Sequence, residues 1–200
     1  NRAEKADGDV AAGDFYLMDY FKMDDGSAVN LFQKFREVLV TTTTTDSKGI
    51  TTTKYTYYYY YEDIIAVKTT SSGDLDWVKL VPIRQVTTNF NPGMGYVATQ
   101  KDGEIYIMHR ASNTDTETIN EGERQEGARL KDRMSNKVAI TKVAENGDLS
   151  SEIVATEKEE KIFFLPNVVA VDEQNNQFIM LNSSRKIFSP KKTVVQTISL

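Results

Sequence analysis

The sequence predicts an all-β protein made of tandem four-stranded antiparallel units, and three observations carry that expectation. Short runs rich in Val, Ile, Thr and Tyr alternate with clusters of Gly, Asn and Asp, and only 4 Pro occur in 200 residues. That is the punctuation of short strands joined by tight turns. Hairpin signals also recur, with Ser72-Gly73-Asp74, Asp102-Gly103 and Asn146-Gly147-Asp148 each set between alternating apolar runs. Finally, hairpins return in the same order along the chain. Gly73-Asp74-Leu75 is matched by Gly147-Asp148-Leu149 and Ile107-Met108 by Ile179-Met180, with Asn175-Asn176 standing for Asp102-Gly103. A repeated four-stranded meander is propeller-like. Two such units cannot close a ring, so an incomplete propeller is expected, with a β-sandwich or an open barrel as the alternative arrangement.

Taken in order, residues 1–12 are small and charged without periodicity and read as a flexible N-terminal arm. Residues 13–63 read as N-terminal hairpins. An apolar run from Phe15 to Met23 ends in Asp24-Asp25-Gly26-Ser27, a turn signal. Ala28, Leu31, Phe32 and Phe35 then fall at helical spacing behind Ser27, which predicts a short helix over 28–35 before a strand from about residue 37. The Thr-rich and Tyr-rich stretches on either side of Asp46-Ser47-Lys48-Gly49 read as a long hairpin, with Val40 opposite Tyr55 and Val38 opposite Tyr57. By the period of two, Tyr55, Tyr57, Tyr59, Tyr61, Ile65 and Val67 share the core face, and Tyr58, Tyr60 and Glu62 share the wetter one.

Residues 64–110 form the first β unit and 137–200 the second, which includes a closing strand near Thr193–Leu200. Between them, residues 111–136 are polar and charged and read as a surface insertion.

Composition excludes several function classes. Hydrophobic residues are 40% and charged residues 26%, an ordinary globular balance. The formal net charge of −5 disfavours phosphate-backbone binding, so no nucleic-acid partner is expected. The absence of cysteine removes disulfides, thiolate metal sites and cysteine nucleophiles. No apolar run is long enough for a membrane-spanning helix.

Two resemblances attach to particular residues. The stretch Ala66 to Trp77, with its Gly-Asp turn and tryptophan, resembles the tryptophan-docking turn of quinoprotein-type propeller blades. It departs at Lys68, where those blades carry an aspartate, and at Ser151, which takes the tryptophan's place in the second unit; the likeness implies shared blade architecture only. Residues 55–110, with a Tyr-rich strand, Asp63-Ile64, Gly73 and Trp77, and the Asp102-Gly103 hairpin, are similar to large exported proteins of Bacteroidetes bacteria. That similarity implies a periplasmic, outer-membrane-attached or extracellular location.

Candidate chemistry is sparse. His109 is the only histidine and would need Ser112 or Asp115 nearby to form a triad; a structural role at a strand end is the simpler expectation. Acidic pairs occur at Asp24-Asp25, Glu62-Asp63, Asp74/Asp76 and Asp172-Glu173, most of them in turns. No metal-binding spacing is present, so no metal and no cofactor are expected. Tyr58, Tyr60 and Glu62 form the candidate ligand- or partner-binding surface, since tyrosine combines a rigid apolar ring with a polar tip. The expected function is a non-enzymatic binding or structural module of an exported bacterial protein, engaging a glycan or a protein, self-associating or forming part of a larger chain. The alternative is a cofactor-free glycan hydrolase using carboxylates.

Overall fold

The computed structural model describes residues 15–88, 94–111, 119, 137–156, 164–184 and 192–200. Twelve strands are assigned among them, all paired antiparallel, in three sheets that do not close into a barrel. The arm expected at 1–12 and most of the 111–136 insertion lie outside the described residues. Ala111 and Ile119, however, are buried, and Ile119 packs into a core, which a wholly solvated insertion would not do.

The first sheet is a meander of β1 (Phe15–Lys22), β2 (Ala28–Thr45), β3 (Thr51–Thr69) and β4 (Leu75–Val81), with the short β5 (Gln85–Thr87) also pairing with β3. The second is the meander β6 (Tyr96–Lys101), β7 (Glu104–Arg110), β8 (Lys137–Val143) and β9 (Leu149–Thr156). The third contains β10 (Val169–Asp172), β11 (Gln177–Ser184) and β12 (Lys192–Ser199), so the expected closing strand pairs beside β11.

Residues 28–35, expected as a helix, are strand. Their apolar spacing serves a two-sided strand instead: Val29, Leu31 and Gln33 face one core, while Phe32 faces the other side. The anticipated units also begin half a sheet away from the observed ones. The hairpin β3–β4 ends the first sheet and β8–β9 ends the second; β6–β7 begins the second and β10–β11 begins the third. The matched segments therefore hold the same strand positions in successive sheets.

Two hydrophobic cores stack the sheets. Leu31, Ile64, Ala66 and Val81 of the first sheet meet Ile105, Ile107 and Val143 of the second. On the opposite face of the second sheet, Met108, Val138 and Ile140 meet Phe178 and Met180 of the third, together with Phe164. The middle sheet is covered on both sides. Burying such side chains stabilises by about 1.5–3 kcal/mol each, so the interfaces between sheets, rather than any one sheet, hold the fold.

Trp77 supplies a second kind of contact between the first two sheets. Its indole Nε1 donates to the carbonyl of Glu145 at 3.0 Å, and the Lys68 Nζ donates to the same oxygen at 3.3 Å. A Cβ on Gly147, in the same β8–β9 turn, would stand 3.1–3.2 Å from the Trp77 ring and 2.7 Å from Lys79 Cε. The turn thus lies flat on the tryptophan because glycine leaves room for it. Trp77 is only partly buried, so it anchors the edge of this interface rather than its centre.

Candidate functional site

The feature that stands clear of the sheets is the distal part of the β2–β3 hairpin. β2 and β3 run for 18 and 19 residues, whereas β1 and β4 have 8 and 7. β1 covers β2 only to Lys34, and β5 reaches β3 only at Tyr59–Tyr61. Beyond these, residues 38–58 pair only with one another among the described residues and form a two-stranded ribbon roughly 30 Å long at 3.3 Å per residue. Its tip closes with the Gly49 N–H donating to the Asp46 carbonyl, and the Asp46 carboxylate caps the N–H groups of Lys48 and Ile50 at 2.9 Å. Threonine hydroxyls pair across it, Thr45 with Thr51 at 3.0 Å and Thr43 with Thr53 at 3.4 Å.

The register is one residue from that expected. Val40 pairs with Thr56 and Val38 with Tyr58. Between Gln33 and Phe35 the register also shifts, since Gln33 pairs with Ile64 and Phe35 with Tyr61. β3 spends one extra residue there, and this bulge reverses which parity faces which side. Tyr55, Tyr57, Tyr59 and Tyr61 consequently continue the face of Ile64 and Ala66, not that of Ile65 and Val67. They are not a buried core, however, because the ribbon has left the second sheet behind. Tyr55 is 63% and Tyr57 45% exposed, beside an exposed Leu39.

The sequence-chosen residues lie on the opposite face of the ribbon base, and the structure brings two of them together. The Arg36 guanidinium stands 4.1 Å from the Tyr60 ring centroid and donates to both Glu62 carboxylate oxygens at 3.1 and 3.2 Å. Lys34 adds an ion pair to Glu62 at 3.7 Å. Tyr60 and Glu62 are therefore organised by cations of the neighbouring strand, and Tyr58 stands next along, opposite Val38. On the first face, Tyr61 packs on Phe35 with ring centroids 5.0 Å apart, and Phe35 meets the edge of Tyr16 at 6.4 Å. Burial pushes the Tyr61 hydroxyl above its ordinary pKa, with Tyr59 adding to the effect. Tyr55, Tyr57 and Leu39 are the surface residues that sequence reasoning missed. The signal that would have found them is the bulge, which depends on pairing across strands and has no local signature.

The other candidate chemistry is accounted for by structure. His109 is fully buried. Its Nδ1 lies 3.1 Å from the Arg110 carbonyl and its Nε2 2.8 Å from Thr141 Oγ1, which in turn is 3.0 Å from Ser151 Oγ. The carbonyl can only accept, so Nδ1 donates to it. Ser112 and Asp115 lie outside the described residues. The acidic residues serve local roles: Asp25 accepts from Ser27, Asp74 from Ser72, Asp172 from Asn175, and Asp76 pairs with Lys68 at 3.6 Å.

A groove of about 390 Å³ on the second sheet is lined by Tyr106, Ile140, Lys142, Ser150, Ser151 and Glu152, and Glu104 holds two of these side chains. Glu104 accepts from the Tyr106 hydroxyl at 2.7 Å and from Lys142 at 3.0 Å. Those two hydrogen bonds hold its pKa below the ordinary carboxylate value, while burial and the bond to Glu104 push Tyr106 up to about 12. Among the described residues no group of three or more His, Cys, Asp or Glu could hold a metal ion. No family model, curated protein or solved structure matches the chain.

Proposed function

We propose that the chain is a non-enzymatic binding module of an exported bacterial protein, and that the β2–β3 ribbon is its binding element, engaging a glycan. The observation that carries this reading is the pair Tyr55 and Tyr57, exposed on one face of a ribbon that projects from the stacked sheets. Residues two apart on a strand place their rings about 7 Å apart on the same side, a rigid apolar strip with hydroxyls at its rim. Threonine hydroxyls continue the strip toward the tip, and few charges interrupt it. Such a surface stacks on the apolar faces of sugar rings and hydrogen-bonds to their hydroxyls at little entropic cost.

A non-catalytic role is supported by the carboxylates. Glycoside hydrolysis needs a general acid whose pKa is raised, set 5–10 Å or so from a second carboxylate. The described carboxylates with a clear shift, Asp25, Glu104 and Asp172, are all held low by hydrogen bonds, so they stay ionised. Placement outside the cytoplasm rests on the likeness of residues 55–110 to exported Bacteroidetes proteins.

Affinity electrophoresis of the folded chain through a panel of plant and host polysaccharides tests the reading. Retardation by at least one polysaccharide is expected, with Tyr55→Ala plus Tyr57→Ala abolishing it and no released sugar on prolonged incubation. Turnover of a retained polysaccharide, or retardation indifferent to the double substitution, would contradict it.

A further inference from the structure

The outer face of the first sheet, turned away from the second, matches strand for strand a face that is covered elsewhere in the same molecule. On the second sheet, Ala139, Thr141 and Val143 of β8 point toward the first sheet and are buried. Their counterparts 74 residues earlier, Ile65, Val67 and Thr69 of β3, point away from the second sheet and are only partly covered. Leu149 packs into the first core, whereas its counterpart Leu75 is 64% exposed. Val78 and Leu80, paired with Val67 and Ile65, extend the same apolar face and are also exposed. Leu17 and Tyr20 continue it across β1.

The turns repeat the pattern. In the β8–β9 turn, Ala144 N–H donates to the Asp148 carbonyl and Gly147 N–H to the Ala144 carbonyl; in the β3–β4 turn, Thr70 N–H donates to Asp74 and Gly73 N–H to Thr70. Gly147 and Gly73 have φ of +84° and +90°. Gly147 lies against Trp77, and the neighbouring Glu145 carbonyl accepts from Trp77 and Lys68. Among the described residues nothing lies within 4 Å of a Cβ built on Gly73, and in the matching turn Ser71 takes the position of Glu145. The turn, its glycine and the leucine after it are thus repeated on the first sheet and stand uncovered among the described residues, while Asn30 stands where the second sheet has the core residue Ile107.

We propose that the outer face of the first sheet is the docking face for a further antiparallel β-sheet, one that carries a tryptophan aimed at Gly73, its indole N–H donating to the Ser71 carbonyl. A second copy of this chain does not fit that chemistry. Trp77 is the only tryptophan, and in each copy it is already engaged by the β8–β9 turn. The occupant is a tryptophan-bearing β-meander that residues 1–200 do not contain, and its apolar side chains cover Leu75, Val78 and Leu80. An apolar face of this kind left in water is what marks an interaction surface.

The test uses the whole 200-residue chain and, as probe, a backbone-cyclised hairpin peptide of residues 64–83, which carries the Lys68 and Trp77 pair that already recognises a turn of this geometry. In a heteronuclear NMR titration, saturable shifts are expected at Ser71–Leu75, Val78 and Leu80. The Trp77→Ala peptide should bind at least tenfold more weakly, and Val78→Lys plus Leu80→Lys in the chain should abolish binding. As a second readout, the unliganded chain should enhance bis-ANS fluorescence, and the same lysine pair should remove most of the enhancement. Absent binding by a peptide whose NMR spectrum shows the hairpin, shifts located elsewhere, or dye binding indifferent to the lysines would each overturn the proposal. Dimerisation of the chain through this face in light scattering would overturn it in favour of a second copy.

Discussion

Gly147 and Gly73 occupy the same place in two turns of the same geometry and differ only in what lies over them. Both sit at positive φ, where a side chain costs about 1–2 kcal/mol. Gly147 alone would also drive a Cβ into the Trp77 ring at 3.1 Å. Gly147→Ala should therefore lower unfolding free energy by about 1–2 kcal/mol more than Gly73→Ala, read from urea denaturation midpoints. Equal losses would mean that the Trp77 stacking has no energetic weight. Trp77→Ala should cost about 2–3 kcal/mol, below the 3–5 kcal/mol of a fully buried aromatic, because the ring is partly exposed and one hydrogen bond is lost with it. Arg36→Ala removes both the ring contact with Tyr60 and the two-pronged bond to Glu62, and a loss of about 1 kcal/mol is expected at this half-exposed site. The turn glycines and the Asp-Gly pair were legible in the sequence because turn chemistry is local. The role of Trp77 as an inter-sheet contact was legible only as a pattern, and its carbonyl partner on Glu145 was not.

At the scale of elements, the strands and their antiparallel order could be read from alternation and turn spacing, while the faces of the longest hairpin could not. The error at Ala28–Phe35 has a physical cause: a strand with apolar residues on both faces shows i, i+3 and i, i+4 apolar spacings that mimic a helix. The error over the tyrosines has another, since one bulged residue in β3 reverses the inward parity, and only pairing with β2 reveals it. The two faces of the ribbon consequently have different assignments: Tyr58, Tyr60 and Glu62 belong to a cation-organised base, and Tyr55 and Tyr57 to an open strip. Tyr58→Ala should weaken polysaccharide retardation far less than Tyr57→Ala, measured in the same gel. The reverse order would return the binding surface to the face chosen from sequence.

Over the whole molecule, stability is set by interfaces between three stacked sheets, and several described groups with shifted pKa values add a pH dependence to it. Glu104, Asp25 and Asp172 have pKa values held below normal in the folded chain. Their contribution is complete above the unfolded carboxylate pKa near 4 and is lost as pH falls through the lower folded values. Tyr106, raised to about 12 by burial and by Glu104, and Tyr96, raised further by burial and the nearby Asp19 carboxylate, act at the other end. Their contribution is complete below the ordinary tyrosine pKa near 10 and disappears as pH climbs through the raised values. Thermal midpoints should thus be flat with respect to these groups from about pH 5 to 9 and fall outside that window, and Glu104→Gln should make the acid limb shallower. The ribbon stands apart from this packing, so it should be separable from it. Replacing residues 38–58 by an Asn-Gly turn keeps the Glu37–Tyr59 pair and removes both exposed ribbon tyrosines, Tyr55 and Tyr57. The shortened chain should unfold cooperatively with a midpoint within a few degrees of the full chain and should no longer be retarded by any polysaccharide that retards the full chain; a shortened chain that folds and still binds would contradict the assignment of binding to the ribbon.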